Sequence, residues 1–386
     1  MSLALILAGS LALTAWLYLF FLRGWFWRFF FLPLAAPGTT PRVVAIIPAR
    51  NEAEHIYDAV KSVLTQQGVG LLQLIVVDDG STDDTAAVAR RAAVSCGGAN
   101  RLMVVQGRPL PAGWAGKVWA MQQGAEAAQR FAADLLFFTD ADIAHGERAV
   151  GALAAQAHSG YDMVSAMVEL RCASSAEKLL IPAFVYFFFQ LYPPKWIADP
   201  SRRTAGAAGG AILIRPAALE QAGGLAAIRG ELIDDCALAA RVKAAGGRLW
   251  LGPTSESRSL RGYGSYAGVG AMISRSAFNQ LRHSAALVLA TIVGMVLIYL
   301  APIALLVSRQ PVATALGAAS TLLMLVSYIP TLRAYRRNPL WALTLPAAAV
   351  FYIGATIHSA WRYWSGRGGE WKGRAQDARA NRTGAA

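Results

Sequence analysis

Hydrophobic and polar positions fall into three regimes along the chain. Residues 3–22 (LALILAGSLALTAWLYLFFL) are apolar without a charge and long enough to cross a bilayer. From about 40 to 283 the pattern changes to short β-branched runs separated by helical stretches: VVAII (43–47), LIVV (74–77), RLMVV (101–105) and LLFF (135–138). That alternation predicts an α/β fold, a Rossmann-like domain with a mainly parallel sheet and helices on both faces. Beyond 283 the chain turns apolar again, over 285–307, 313–331 and 340–360. The expected division is therefore an N-terminal anchor (1–24), a globular domain (40–283), C-terminal transmembrane or re-entrant helices (284–360) and a basic tail (361–386).

The flanks of these segments refine the picture. A cleavable signal peptide places its basic residues before the apolar run and a small-residue cleavage site after it. Here Arg23 and Arg28 follow the run, with Trp25 and Trp27 as interface aromatics. The segment reads as an uncleaved anchor, and the positive-inside rule puts the globular domain in the cytoplasm. Arg309 occupies a short turn after the second apolar run, and Arg333, Arg336 and Arg337 follow the third. If 340–360 also crossed, the basic tail would lie outside, against the charge rule. That segment, which contains Pro346, is therefore expected to be interfacial or re-entrant. Inside the globular domain, LLIPAFVYFFFQLYPP (179–194) admits two readings, a buried core helix or a helix over 176–193 lying at the membrane surface. The second is preferred, because four consecutive aromatics (186–189) cannot all face one core.

Composition agrees with a membrane protein. Only 15% of residues are charged, against roughly a quarter in an average soluble domain, and the mean hydropathy is +0.39. The net charge of +13 points to acidic partners such as anionic headgroups or nucleotides. Nucleic acid is not expected, since no Lys/Arg stripe interleaved with aromatics lies on a soluble segment. Cys96, Cys172 and Cys236 are far apart and lack metal-ligand spacing, so they read as reduced thiols.

The candidate chemistry sits at strand ends, where open parallel sheets bind ligands. PARNEAE (48–54) follows the first strand, VDDGSTDDT (77–85) the second, and TDAD (139–142) the fourth. Asp140 and Asp142 project from the same side of an extended chain. Two carboxylates so close repel unless a cation joins them, and hard oxygen donors suit magnesium or manganese. The alternative for Asp142 is a helix cap. Neither glycine pattern is a dinucleotide fingerprint or a P-loop, so phosphate must be handled by metal and side chains. Lys117, opening the helix after GWAG, is either one of those side chains or a solvated first-turn lysine. Gly209 and Gly210 in AAGGAILIRP precede a strand, where backbone can approach a ligand closely. In GELIDDCALAARVK (230–243), Asp234 and Asp235 open an amphipathic helix. They are either caps or, for one of them, a base that takes a proton from an acceptor hydroxyl.

In that order, PARNE, VDDGS, TDAD, AAGG and IDD resemble the membrane-bound enzymes of glycosyltransferase family 2, which have the GT-A fold. GWAGKVWA, IPAFVYFFFQLYP, RGELIDDCALAARVK and the closing WKGR more narrowly resemble the hopene-associated glycosyltransferases, relatives of ceramide glucosyltransferase. The resemblance implies that Pro48, Asn51, Glu52 and Asp79 contact the uridine of a UDP-sugar. It implies that Asp140 and Asp142 are the DxD pair, with Asp142 the metal ligand of the two, and that Asp235 is the general base. The family often has a Q/RxxRW motif downstream of the base. This chain has MISRS (272–276), in which Arg275 fits the arginine while the Trp is absent; Arg282 is its rival.

The resemblance thus implies an inverting, metal-dependent transferase at the cytoplasmic face of a bacterial inner membrane. It would move one sugar to a hydroxyl of a membrane lipid, a hopanoid on the narrower likeness. A polyprenyl-phosphate acceptor and a non-catalytic nucleotide-binding scaffold are the competing functions.

Overall fold

The computed structural model describes residues 2–34, 40–366, 370–371 and 374–375. Of the expected basic tail, 367–369, 372–373 and 376–386 lie outside the described residues. The chain forms two compact units. A sheet unit takes in Phe30–Arg171 and Trp196–Gly262, and a helical unit takes in 2–29, 172–195 and 263–366.

The main sheet of this unit has eight strands among the described residues: β1 (Arg42–Ala49), β2 (Gly70–Asp78), β3 (Leu102–Gln106), β4 (Leu135–Phe138), β5 (Ile143–His145), β6 (Met163–Glu169), β7 (Ile212–Ile214) and β8 (Leu249–Ser259). Their order is β3-β2-β1-β4-β7-β6-β8-β5. Strands β3, β2, β1 and β4 are mutually parallel, as the four β-branched runs predict. The other half is mixed: β7 runs antiparallel to both β4 and β6, β8 is parallel to β6, and β5 is antiparallel to β8. The fold is α/β of GT-A type, with a sheet that is mostly parallel.

Strand β1 is buried from Val43 to Ala49 because helices cover both faces of the sheet. Helix Gly116–Ala128 comes so close that a Cβ at Gly124 would overlap Ile46. Pro48 sits inside this central strand without breaking it. It lies beyond the last β4 partner of β1, Ile46, so the N–H it lacks has no ladder bond to lose on that side. Parallel pairing brings the carboxyl ends of β1, β2 and β4 together, and with them the loops that follow.

The helical unit contains four helices long and apolar enough to cross a membrane: Ser2–Leu22, Ala285–Leu306, Pro311–Ala334 and Pro339–Trp364. The last covers the segment expected to be interfacial or re-entrant, and it is one continuous helical stretch. Pro346 falls in the first turn of helix Leu345–Trp364, where its missing N–H would have had no partner. The helix therefore runs on to full spanning length.

Helix Ser175–Leu191, expected inside the globular domain, groups with the apolar helices and not with the sheet. Its aromatics do not need one core, because neighbours surround it. Tyr186 meets Phe26 and Tyr328, Phe187 meets Tyr299 and Tyr352, and Phe189 meets Phe29. The Tyr186 hydroxyl pairs with Ser327 Oγ at 2.7 Å, and Tyr299 donates to Gln190 Oε1 at 2.6 Å. The helix starts on a capping box, Ser174 with Glu177. Glu177 accepts four backbone N–H groups, from Ala173, Ser174, Tyr263 and Gly264.

Candidate active site

The loops after β1 and β2 form one hydrogen-bonded piece. Arg50 donates to the carbonyls of Asp79 and Gly80. Asn51 takes a left-handed conformation (φ 51°), which asparagine tolerates better than most residues. This turns its Oδ1 onto Thr82 N at 2.8 Å, while its own N–H reaches Ser81 Oγ at 3.0 Å. The Glu52 and Ala53 amides donate to Thr85 Oγ1 and Asp83 Oδ2. Asp79 is buried, and Asp78 caps the turn by accepting Ser81 N. Of the predicted contacts in these loops, Pro48 is buried in the strand, whereas Asn51 is exposed.

Around TDAD the carboxylates carry cationic partners. Lys117 Nζ lies 2.8 Å from Asp140 Oδ1 and 3.3 Å from Asp234 Oδ2. It is not a solvated first-turn lysine. Burial opposes its charge, but Asp140, Asp234 and Asp235 outweigh that effect and hold the ammonium above its ordinary range. Asp140 is pushed up, by burial and by the nearby Asp142, against the pull of Lys117.

Asp142 pairs instead with Arg261, whose Nε lies 2.6 Å from Asp142 Oδ2 and whose Nη2 lies 2.7 Å from Glu52 Oε2. Sequence reasoning missed Arg261, which lies 119 residues from Asp142. The antiparallel β5–β8 register, Ile143 opposite Ser259, delivers it there, and Leu260 N donates to the Asp142 carbonyl at 2.8 Å.

Asp235 opens helix Asp234–Ala244 and is held by two amides, Gly209 N at 2.8 Å and Cys236 N at 2.7 Å. Burial and the neighbouring Asp234 push its carboxyl up to about 6, against the opposing pull of Lys117. Asp234 Oδ2 is buried with no hydrogen-bond partner, its contact to Lys117 being a charge contact off the bonding direction. A Cβ at Gly209 would stand 3.3 Å from both Asp235 Oδ2 and Lys117 Nζ. The glycine thus permits close approach of backbone to the acidic pair. Gly210 packs on Val168, and its carbonyl accepts Thr139 Oγ1.

His145 was also missed. It is buried between Thr139 Oγ1 (2.9 Å) and Ser257 Oγ (2.8 Å), and burial lowers its pKa to about 3. The neutral ring braces the strand end that carries TDAD. Its signal in the sequence is a histidine three residues past the acidic pair, in a stretch otherwise apolar.

The structure thus brings together Glu52, Lys117, Asp140, Asp142, Gly209, Asp234, Asp235 and Arg261 within the sheet unit. Arg275 and Arg282 belong to the helical unit. Arg275 is exposed on helix Tyr266–Gln280, and Arg282 follows with a left-handed backbone. Among the described residues, no group of three His, Cys, Asp or Glu side chains is placed to hold a metal. Two carboxylates fit a magnesium or manganese ion all the same, because such ions take one or two carboxylates and complete their shell with phosphate and water.

Residues 44–219 match the model of a family described as glycosyl transferase family 2. Among solved structures, a mannosyltransferase from Pyrobaculum calidifontis, described in complex with GDP-Man and Mn2+, is 19% identical with a TM-score of 0.55. The alignment covers 94% of this chain and 99% of that one. At that identity the likeness speaks to fold alone. Glucosyl-3-phosphoglycerate synthase from Mycobacterium tuberculosis is 20% identical over 62% of this chain and 81% of its own, with a TM-score of 0.39. No curated protein matches.

Proposed function

We propose that this glycosyltransferase family 2 domain transfers one sugar from a UDP-sugar to a hydroxyl of a membrane lipid, with inversion. The observation that carries the reading is the junction at Lys117, which joins Asp140 of TDAD to Asp234 at the helix start. A donor's diphosphate and an acceptor's hydroxyl need such groups within one small volume.

The roles follow from the contacts. The joined loops after β1 and β2 form a firm ledge for base and ribose, with Asn51, Glu52 and Asp79 as its polar groups. A dication bound by Asp140 and Asp142 would neutralise charge on the departing diphosphate. Lys117 supplies fixed positive charge beside it. Asp235 is fixed by two amides, and its raised proton affinity suits a general base working near neutral pH. It takes the acceptor's hydroxyl proton as that oxygen bonds to the anomeric carbon and the bond from that carbon to the diphosphate oxygen breaks. Arg275 enters as a diphosphate contact on family resemblance alone; Arg261 enters on its contacts here.

A lipid acceptor is supported by the four spanning-length helices in the same chain. A hopanoid is the acceptor that the narrower resemblance favours. Arg23, Arg28, Arg333, Arg336 and Arg337 flank the apolar segments and favour the cytoplasmic face of a bacterial inner membrane. The test is Asp235→Asn. Turnover should fall by on the order of 10²–10⁴-fold while UDP-sugar binding persists. Unchanged turnover would remove Asp235 from the mechanism and favour a polyprenyl-phosphate acceptor, already ionised.

A further inference from the structure

Each aspartate of TDAD is met by a cation of the chain itself, but the two cations differ. Lys117 also contacts Asp234, so it keeps a partner if Asp140 is taken by another ion. Arg261 forks between Asp142 and Glu52. Its backbone is fixed by the β5–β8 pairing and by Leu260 N on the Asp142 carbonyl. Glu52 is equally fixed, for its own amide is bonded to Thr85. The guanidinium therefore already holds one oxygen of Asp142, and a dication approaching that carboxylate meets it there.

We propose that Arg261 is an internal counter-cation that makes divalent-metal binding conditional on the nucleotide. A free dication approaching Asp142 meets like charge and must compete with a short charge-assisted bond. A dication arriving with a nucleoside diphosphate brings a replacement partner. Arg261 leaves Asp142, keeps Glu52 as its pivot and turns its planar fork onto phosphate oxygens, the geometry that guanidinium matches best. Metal and donor then load together, and the loop carrying Glu52 senses the exchange. The inference rests on the reading that Asp140 and Asp142 hold the metal of a sugar-nucleotide site.

The experiment is Mn2+ titration of the purified full chain in detergent, followed by the loss of the free-ion EPR signal, with and without UDP. Wild type should bind Mn2+ weakly alone and much more tightly with UDP. In Arg261→Gln, nucleotide-free Mn2+ affinity should rise about tenfold and the gain from UDP should shrink. Arg261→Lys, which keeps one charge but cannot fork, should move both quantities in the same direction by less, and it serves if the glutamine variant does not fold. Nucleotide-free affinity that is unchanged or lower in these variants overturns the proposal. Tight Mn2+ binding by wild type without UDP overturns it too, while leaving the catalytic reading intact. Absence of Mn2+ binding even with UDP would instead overturn the sugar-nucleotide reading itself.

Discussion

The two units bury different kinds of polar group. In the sheet unit, charged side chains crowd the strand ends, where Lys117 meets Asp140 and Asp234, and Arg261 meets Asp142 and Glu52. One of those carboxylate oxygens, Asp234 Oδ2, has no hydrogen bond at all. In the helical unit the buried polar groups are mostly hydroxyls; several have a partner, as with Tyr186 and Ser327, or Ser359 on the Ser274 carbonyl, while Thr321 Oγ1 and Thr331 Oγ1 have none. Its buried acid, Glu177, is satisfied by backbone amides. A neutral hydroxyl is cheap to bury and serves packing, whereas charge gathered at strand ends is costly to bury and serves a site.

The sharpest way to break this contrast is Glu177→Ala, which orphans four N–H groups at once. At about 1–3 kcal/mol for each donor that water cannot reach, the loss should be about 3 kcal/mol or more. A thermal melt in detergent should show it as the largest drop among single substitutions in the helical unit.

A smaller effect is expected across the acid cluster. Asp234 raises Asp235, so Asp234→Asn should lower the Asp235 pKa from about 6 toward the ordinary carboxylate value. A base works when ionised, so the acid limb of kcat/KM should move to lower pH, by about one unit. Lys117→Met removes the opposing cation and should move the same limb upward. Limbs that stay in place in both variants would separate Asp235 from the titrating base.

The smallest effect sharpens the other side. Tyr186→Phe leaves Ser327 Oγ with one partner fewer and should destabilise by about 1 kcal/mol. Adding Ser327→Ala should recover most of that loss, since removing both partners is nearly neutral. A double-mutant cycle with no coupling would mean that the pair contributes nothing to the unit.

Much of this was legible in the chain. Strands β1 to β4 are written as short apolar runs, mostly β-branched, and the acids of PARNE, DDGS and TDAD stand at the ends where parallel pairing must gather them, whereas those of IDD open a helix. The mixed half of the sheet was not. Strands β5 and β7 have three residues each, too short for any period to register. Arg261 was missed for the same reason, because it reaches Asp142 only through the pairing of one of those strands. The capping box at Ser174 and Glu177 was readable as S-x-x-E, whereas the two amides that Glu177 collects from Tyr263 and Gly264 were not. Pro346 leaves its helix unbroken because it falls in the first turn, a position that hydropathy alone does not give.

The bonds that run from Arg50, Asn51, Glu52 and Ala53 to the segment 79–85 have a mechanical consequence. Two stretches some thirty positions apart behave as one plank, and neither can swing without tearing the other. On the proposed function, a nucleotide would meet this side already shaped, with little entropy left to lose in ordering it. Any flexing that admits a ligand would then belong to other segments: here the molecule has built its wall, not its door.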